Sequence, residues 1–112
     1  MARLSEQLDD TFVALADPTR RAILRRLTKG QARVTELAAP FSISLNSVSK
    51  HIKILERAGL VERSKIGRDH LIRFCPQALR RAQSWIDQQE AFWQASLKSL
   101  DELLQRKEEG HQ

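Results

Sequence analysis

SLNSVSKHIKILERAGLVERSKIGRDHLIRF, residues 44–74, joins a helical pattern to an alternating one through a single glycine. In the first half Val48, Ile52 and Leu55 fall within about 60° of each other at the helical advance of about 100° per residue, which marks the core-facing stripe. Asn46, Lys50, Lys53 and Arg57 cluster on the opposite side, with Ser49 at the flank. Ser44 is placed to cap this helix and Gly59 to end it. In the second half Leu60, Glu62, Ser64 and Ile66 alternate with Val61, Arg63 and Lys65. Beyond Gly67-Arg68-Asp69, Leu71 and Arg73 alternate with Ile72 and Phe74. Alternation on both sides of a glycine-containing tip predicts a β-hairpin.

Working outward, Leu4, Leu8, Phe12 and Leu15 share one face of a first helix, about residues 4–16. Asp17-Pro18 opens a second, with a capping residue followed by proline at the first helical position. It runs to about Lys29, buries Ile23, Leu24 and Leu27, and stops at Gly30. Arg33 and Val34 make a short extended piece, and Thr35 is the expected cap of a short third helix limited by Pro40. After Pro76 the residues Leu79, Ala82, Ile86, Trp93, Leu97, Leu100 and Leu104 continue at helical spacing. They predict a long last helix over 77–106, with 107–112 a frayed tail.

The chain has 112 residues, which suits one domain over 1–106. Its 41% hydrophobic and 29% charged residues describe a folded chain rather than a disordered one. No apolar run nears the roughly 20 residues of a membrane span, and MARLSEQLDDTF is too polar for a secretory signal. With the single Cys75 unable to form an internal disulfide, a cytoplasmic location is expected.

The formal charge is +5, and residues 44–73 hold 7 cations against 3 anions. A local basic excess suits a polyanionic partner. Two short helices, a turn, a longer helix and a basic hairpin predict a winged helix-turn-helix, mainly α with a small β wing. In that arrangement helix 45–58 reads the major groove and wing 60–74 lies beside it. Asn46, Ser47, Ser49 and Lys50 are the expected base-reading residues, since asparagine pairs with adenine and lysine with guanine. Ser44, His51, Lys53, Arg57, Arg63, Lys65, Arg68 and Arg73 are the expected phosphate and wing contacts. Arg68 at the tip suits a minor groove, and Asp69 would either restrain it or shape the turn. Arg20 leans toward the buried stripe of its helix, which suits a structural hydrogen bond, whereas Arg21 and Arg25 are weaker candidates for the phosphate track.

The segments LADPTRRAIL, VTELAAPF and SVSKHIKILERAGLVE, with WIDQQEAFWQASLKSLDELL near the end, resemble the ArsR/SmtB-type bacterial winged-helix repressors over about residues 8–104. The resemblance implies a homodimer joined through the first and last helices, 4–16 and 77–106. It also implies repression through double-stranded operator DNA, with the fourth helix as reader. The implied interface falls on Leu4, Leu8, Phe12, Trp85, Phe92, Trp93, Leu97, Leu100 and Leu104. One chain this size would hardly cover both apolar stripes, which independently argues for a two-fold dimer. Metal-sensing members carry a cysteine pair in the third helix, where this chain has Val34-Thr35-Glu36-Leu37-Ala38-Ala39. Others place His and Asp ligands on the last helix, where this chain has Asp87 and Glu90 and no histidine before His111. The fold and the DNA site carry over, and metal sensing does not. No cofactor and no metal are expected, an unidentified effector stays open, and no catalytic constellation stands out. The rival readings are a dimeric protein-interaction module and a small-ligand sensor on the same fold.

Overall fold

The computed structural model describes residues 2–110, with side chains described from 6 to 108. The side chain of Leu4 and all of His111 therefore lie outside the described residues. In order come α1 (Ala2–Leu15), α2 (Pro18–Leu27), β1 (Ala32–Arg33), α3 (Val34–Ala38), α4 (Leu45–Arg57), β2 (Val61–Ile66), β3 (Asp69–Phe74) and α5 (Gln77–Gly110). The chain divides into two compact units, Met1–Ala82 and Gln83–Gln112.

Local chemistry sets the element ends in the first unit. The Asp17 carboxylate accepts from the Arg20 amide at 3.0 Å, with Pro18 at the first helical position of α2. The Ser44 hydroxyl accepts from the Ser47 amide at 3.1 Å and opens α4. Such a cap contributes about 1 kcal/mol. At the far end of α4 the Leu60 amide donates to Leu55 O at 3.0 Å and the Gly59 amide to Glu56 O at 2.9 Å. This is a Schellman motif, and Gly59 takes the φ of 74° that it needs. Gly67, at φ 63°, holds the first of the two loop positions of the β2–β3 hairpin, where a type II′ turn favours glycine.

Helix ends shift by one or two residues at α1, α2 and α4, and three features differ more from the sequence expectation. The extended piece is β1, and it joins the hairpin as a third antiparallel strand in the order β1-β3-β2, with Ala32 opposite Ile72 and Arg33 opposite Leu71. The cap of α3 is Arg33 rather than Thr35. Its amide donates to Glu36 Oε1 at 3.2 Å, so Glu36 closes the helix start and Thr35 falls inside it. Helix α5 continues to Gly110 instead of ending at 106.

One core joins these elements. Val48, Ile52 and Leu55 of α4 are buried against Ile23, Leu24 and Leu27 of α2, Leu37 of α3, Ile72 of β3 and Ala78 of α5. Each large aliphatic group removed from water stabilises the unit by about 1.5–3 kcal/mol. The second unit is a helical segment. Ile86, Phe92, Trp93, Leu97, Leu100, Leu103 and Leu104 on it are exposed. Among the described residues no helix is long and apolar enough to cross a membrane.

Candidate nucleic-acid interface

Helix α4 presents four faces, and its neighbours identify each. The core face is Val48, Ile52 and Leu55. The flank toward α2 carries His51, whose Nδ1 is 3.2 Å from the Arg20 guanidinium. The flank toward the wing carries Leu45 and Ser49, which line a cleft of about 360 Å³ with Arg63, Arg68 and His70, and Glu56, which pairs with Arg63. The remaining face is Asn46, Lys50, Lys53 and Arg57, all exposed.

Strand register sorts the wing in the same way. Val61, Arg63 and Lys65 stand opposite Phe74, Ile72 and His70. Val61 and Ile72 are buried, so this set faces the body of the unit. Glu62, Ser64, Ile66, Asp69, Leu71 and Arg73 occupy the other face.

Ion pairs decide which cations are available to a ligand. Arg63 donates to Glu56 across the α4–β2 junction, with both side chains about three-quarters buried. Arg73 pairs with Glu62, the residue directly opposite it on the outer face. Of these two arginines, both expected at phosphates, Arg63 is engaged within the fold, whereas Arg73 is paired at the exposed surface. Asp69 pairs not with Arg68 but with Arg33 of β1 at 3.4 Å, brought beside it by the third strand. Among the described residues the side chains of Lys50, Lys53, Arg57, Lys65 and Arg68 make no hydrogen bond or ion pair. Five unneutralised cations on one helix face and the adjoining wing are what a phosphate backbone attracts.

The serines divide too. The Ser44 hydroxyl accepts from the Ser47 amide and donates to Ser47 Oγ at 3.0 Å, so the expected phosphate contact is already committed to the cap. Ser47 keeps its own proton to donate. Ser49 sits half-buried at the cleft.

His51, expected at a phosphate, belongs to a junction built on Arg20. The Arg20 Nε donates to Ala14 O at 2.8 Å and one Nη to Val13 O at 2.9 Å, while the other Nη meets His51. The Asp17 carboxylate lies 3.8 Å from His51 Nδ1. The end of α1, the start of α2 and the middle of α4 are tied by one guanidinium, which bears out the structural reading of Arg20. Burial works to raise the Asp17 pKa. The Arg20 amide, the Arg20 guanidinium, His51 and the Thr19 amide outweigh it and hold the carboxyl below 3.8. Arg21 donates to Leu15 O at 2.7 Å and is taken from the phosphate track, whereas Arg25 has no partner among the described residues.

Burial pushes the Cys75 thiol up, and the Glu62 carboxylate pushes it further. That is the reverse of the low-pKa thiolate a redox sensor needs. Among the described residues no three of His, Cys, Asp and Glu are grouped to hold a metal ion.

Sequence reasoning passed over Arg33 and Leu45. Arg33 gave no signal, because its partner Asp69 is distant in the chain. Leu45 gave one, since it stands off the buried stripe of its own helix.

This geometry has relatives. The family described as a helix-turn-helix domain matches residues 15–64. The HTH-type transcriptional regulator Rv2034 of Mycobacterium tuberculosis is 35% identical over 96 residues, which cover 86% of this chain and 87% of that one. The crystal structure of the ArsR family transcriptional regulator RHA00566 superposes with a TM-score of 0.77 at 42% identity, covering 80% of this chain and 93% of that one. A solution structure from Mycobacterium bovis, described as a homodimeric winged helix-turn-helix DNA-binding domain, superposes with a TM-score of 0.64. It is 27% identical and covers 81% of this chain and 86% of its own.

Proposed function

This chain belongs to the ArsR/SmtB family of winged helix-turn-helix transcriptional regulators, and from that premise we propose that it is a homodimeric repressor that binds an inverted-repeat operator. It is a DNA-binding regulator, not an enzyme. The observation that carries the operator reading is the run of unpartnered groups on α4 and the wing. Asn46 and Lys50 occupy the first turns of α4, the part of such a helix that meets base edges. Lys53 and Arg57 follow along the same face toward the backbone. Lys65 and Arg68 extend the basic track onto the wing.

Two copies of α4 lie in successive major grooves about 34 Å apart. The dimer interface uses the apolar stripe of α5. Trp93 is 62% exposed and Phe92 69%, and side chains of this size anchor interfaces because they bury much area. Trp85, Leu97, Leu100 and Leu104 belong to the same stripe, and Leu103 joins them. Leu8 and Phe12, half-buried in the first unit, are a second proposed contact. The homodimer described for the Mycobacterium bovis relative supports this state. Occupying an operator in the cytoplasm, the dimer blocks transcription from it. Any effector would act by favouring the form that does not bind DNA.

Selection from a random duplex library, with light scattering on the same sample, tests the proposal. An enriched inverted repeat and a dimeric mass are expected. Absence of any enriched sequence at low salt, or a monomer at micromolar concentration, contradicts it.

A further inference from the structure

Leu45 is the first residue of α4, and it is 51% exposed. Its helix has a complete core face without it, since Val48, Ile52 and Leu55 are all fully buried. Leu45 stands about 50° off the centre of that arc at the advance of about 100° per residue. It lies instead with Ser49 at a cleft bounded by Val34 and Thr35 of α3 on one side and by Arg63, Arg68, Asp69 and His70 of the wing on the other. Single exposed leucines are common on protein surfaces. This one sits at the N-terminal end of α4, next in sequence to Asn46, beside the exposed Asn46–Lys50–Lys53–Arg57 face, with Val34 as the other apolar residue of its cleft.

Phosphate attraction does not use a leucine. In the major groove the apolar group on a base edge is the 5-methyl of thymine. The first residues of a reading helix are those that reach base edges.

We propose that Leu45 is a specificity-determining residue that packs on a thymine 5-methyl in the major groove, in the same half-site that Asn46 and Lys50 read. The inference rests on the operator reading above. The contact removes apolar surface of both partners from water, and it makes no demand on hydrogen-bond geometry. It adds a thymine preference beside the positions read by polar groups. Arg68 and Lys50, unpartnered on either side, hold the backbone close enough for the contact to form.

The test exchanges one methyl group. Sites are first selected from a random duplex library with the wild-type chain. Each thymine of the enriched site is then replaced, one at a time, by deoxyuridine, which pairs identically and lacks the methyl. Wild type, Leu45→Ala and Leu45→Met are compared on every duplex. At one or two thymines per half-site, uridine should weaken wild-type binding about fourfold, the effect of one methyl group kept in water. Leu45→Met should keep that difference and Leu45→Ala should lose it, with all three binding uridine duplexes similarly. Equal wild-type binding to thymine and uridine duplexes at every position overturns the inference. So does a selected site without thymine, or a uridine effect that survives in Leu45→Ala. Each of these leaves the operator reading standing, whereas failure to enrich any sequence overturns both.

Discussion

Arg63 on β2 donates to a single carboxylate oxygen of Glu56 near the end of α4, through Nη at 2.8 Å and through Nε at 3.2 Å. The pair fixes the wing to α4 and neutralises one wing cation. Lys65, two residues on and on the same face of the strand, has no such anion. The two replacements should therefore separate. Lys65→Ala is expected to weaken binding to all sequences and to reduce the slope of log affinity against log salt by about 1. Arg63→Ala should lower stability by about 0.5–1 kcal/mol and leave the salt slope unchanged. Titrations on random duplex DNA at several salt concentrations decide it, and equal slope changes would place both residues at phosphates.

Lys50 and Lys53 share the outward face of α4 but differ in depth along it. Lys50→Ala should relax preference at one or two base positions by about 1–3 kcal/mol each. Lys53→Ala should lower affinity for specific and random DNA alike. Binding measured on a panel of single-base operator variants distinguishes the two, and identical profiles would remove Lys50 from the base-reading set.

Arg20 makes three polar contacts that join α1, α2 and α4. A lysine keeps the charge and loses the fork. Arg20→Lys is expected to cost about 1–3 kcal/mol, the effect of stranding part-buried acceptors. The urea midpoint reports it, and an unchanged midpoint would show that the junction carries no stability.

Asp17 ionises more readily in the folded chain than its ordinary value of 3.8. A lowered folded pKa favours the folded state whenever the carboxylate is charged. The contribution is complete above the unfolded value and is lost as pH falls through the folded one. Asp17→Asn, which keeps a capping oxygen, should flatten the fall in unfolding free energy below about pH 4. Urea unfolding at a series of acidic pH values is the measurement, and parallel curves for the two proteins would contradict the assignment.

Trp93 is 62% exposed on the apolar stripe of α5. Trp93→Glu places a charge in the proposed dimer contact, where it has no partner. The variant should be monomeric by light scattering, bind a full inverted repeat more weakly, and match wild type on an isolated half-site. A dimer of unchanged mass would move the interface elsewhere.

The sequence by itself determined the elements whose causes are local. Asp17-Pro18, Ser44 and Gly59 mark helix ends because a cap is satisfied within a few residues of chain. The stripe Val48–Ile52–Leu55 shows the buried face of α4 because helical geometry repeats without reference to anything else. Alternation about Gly67 shows the hairpin for the same reason. Those features were enough to place helix α4 and the hairpin. Only the tertiary structure decided which cations are available. Arg63 meets Glu56, Arg33 meets Asp69 and Arg20 meets His51 because packing brings separate elements within hydrogen-bond distance. Charge in a sequence counts arginines alike. Ion pairing depends on distances of a few ångströms, and those are set only when helices and strands are fixed against one core.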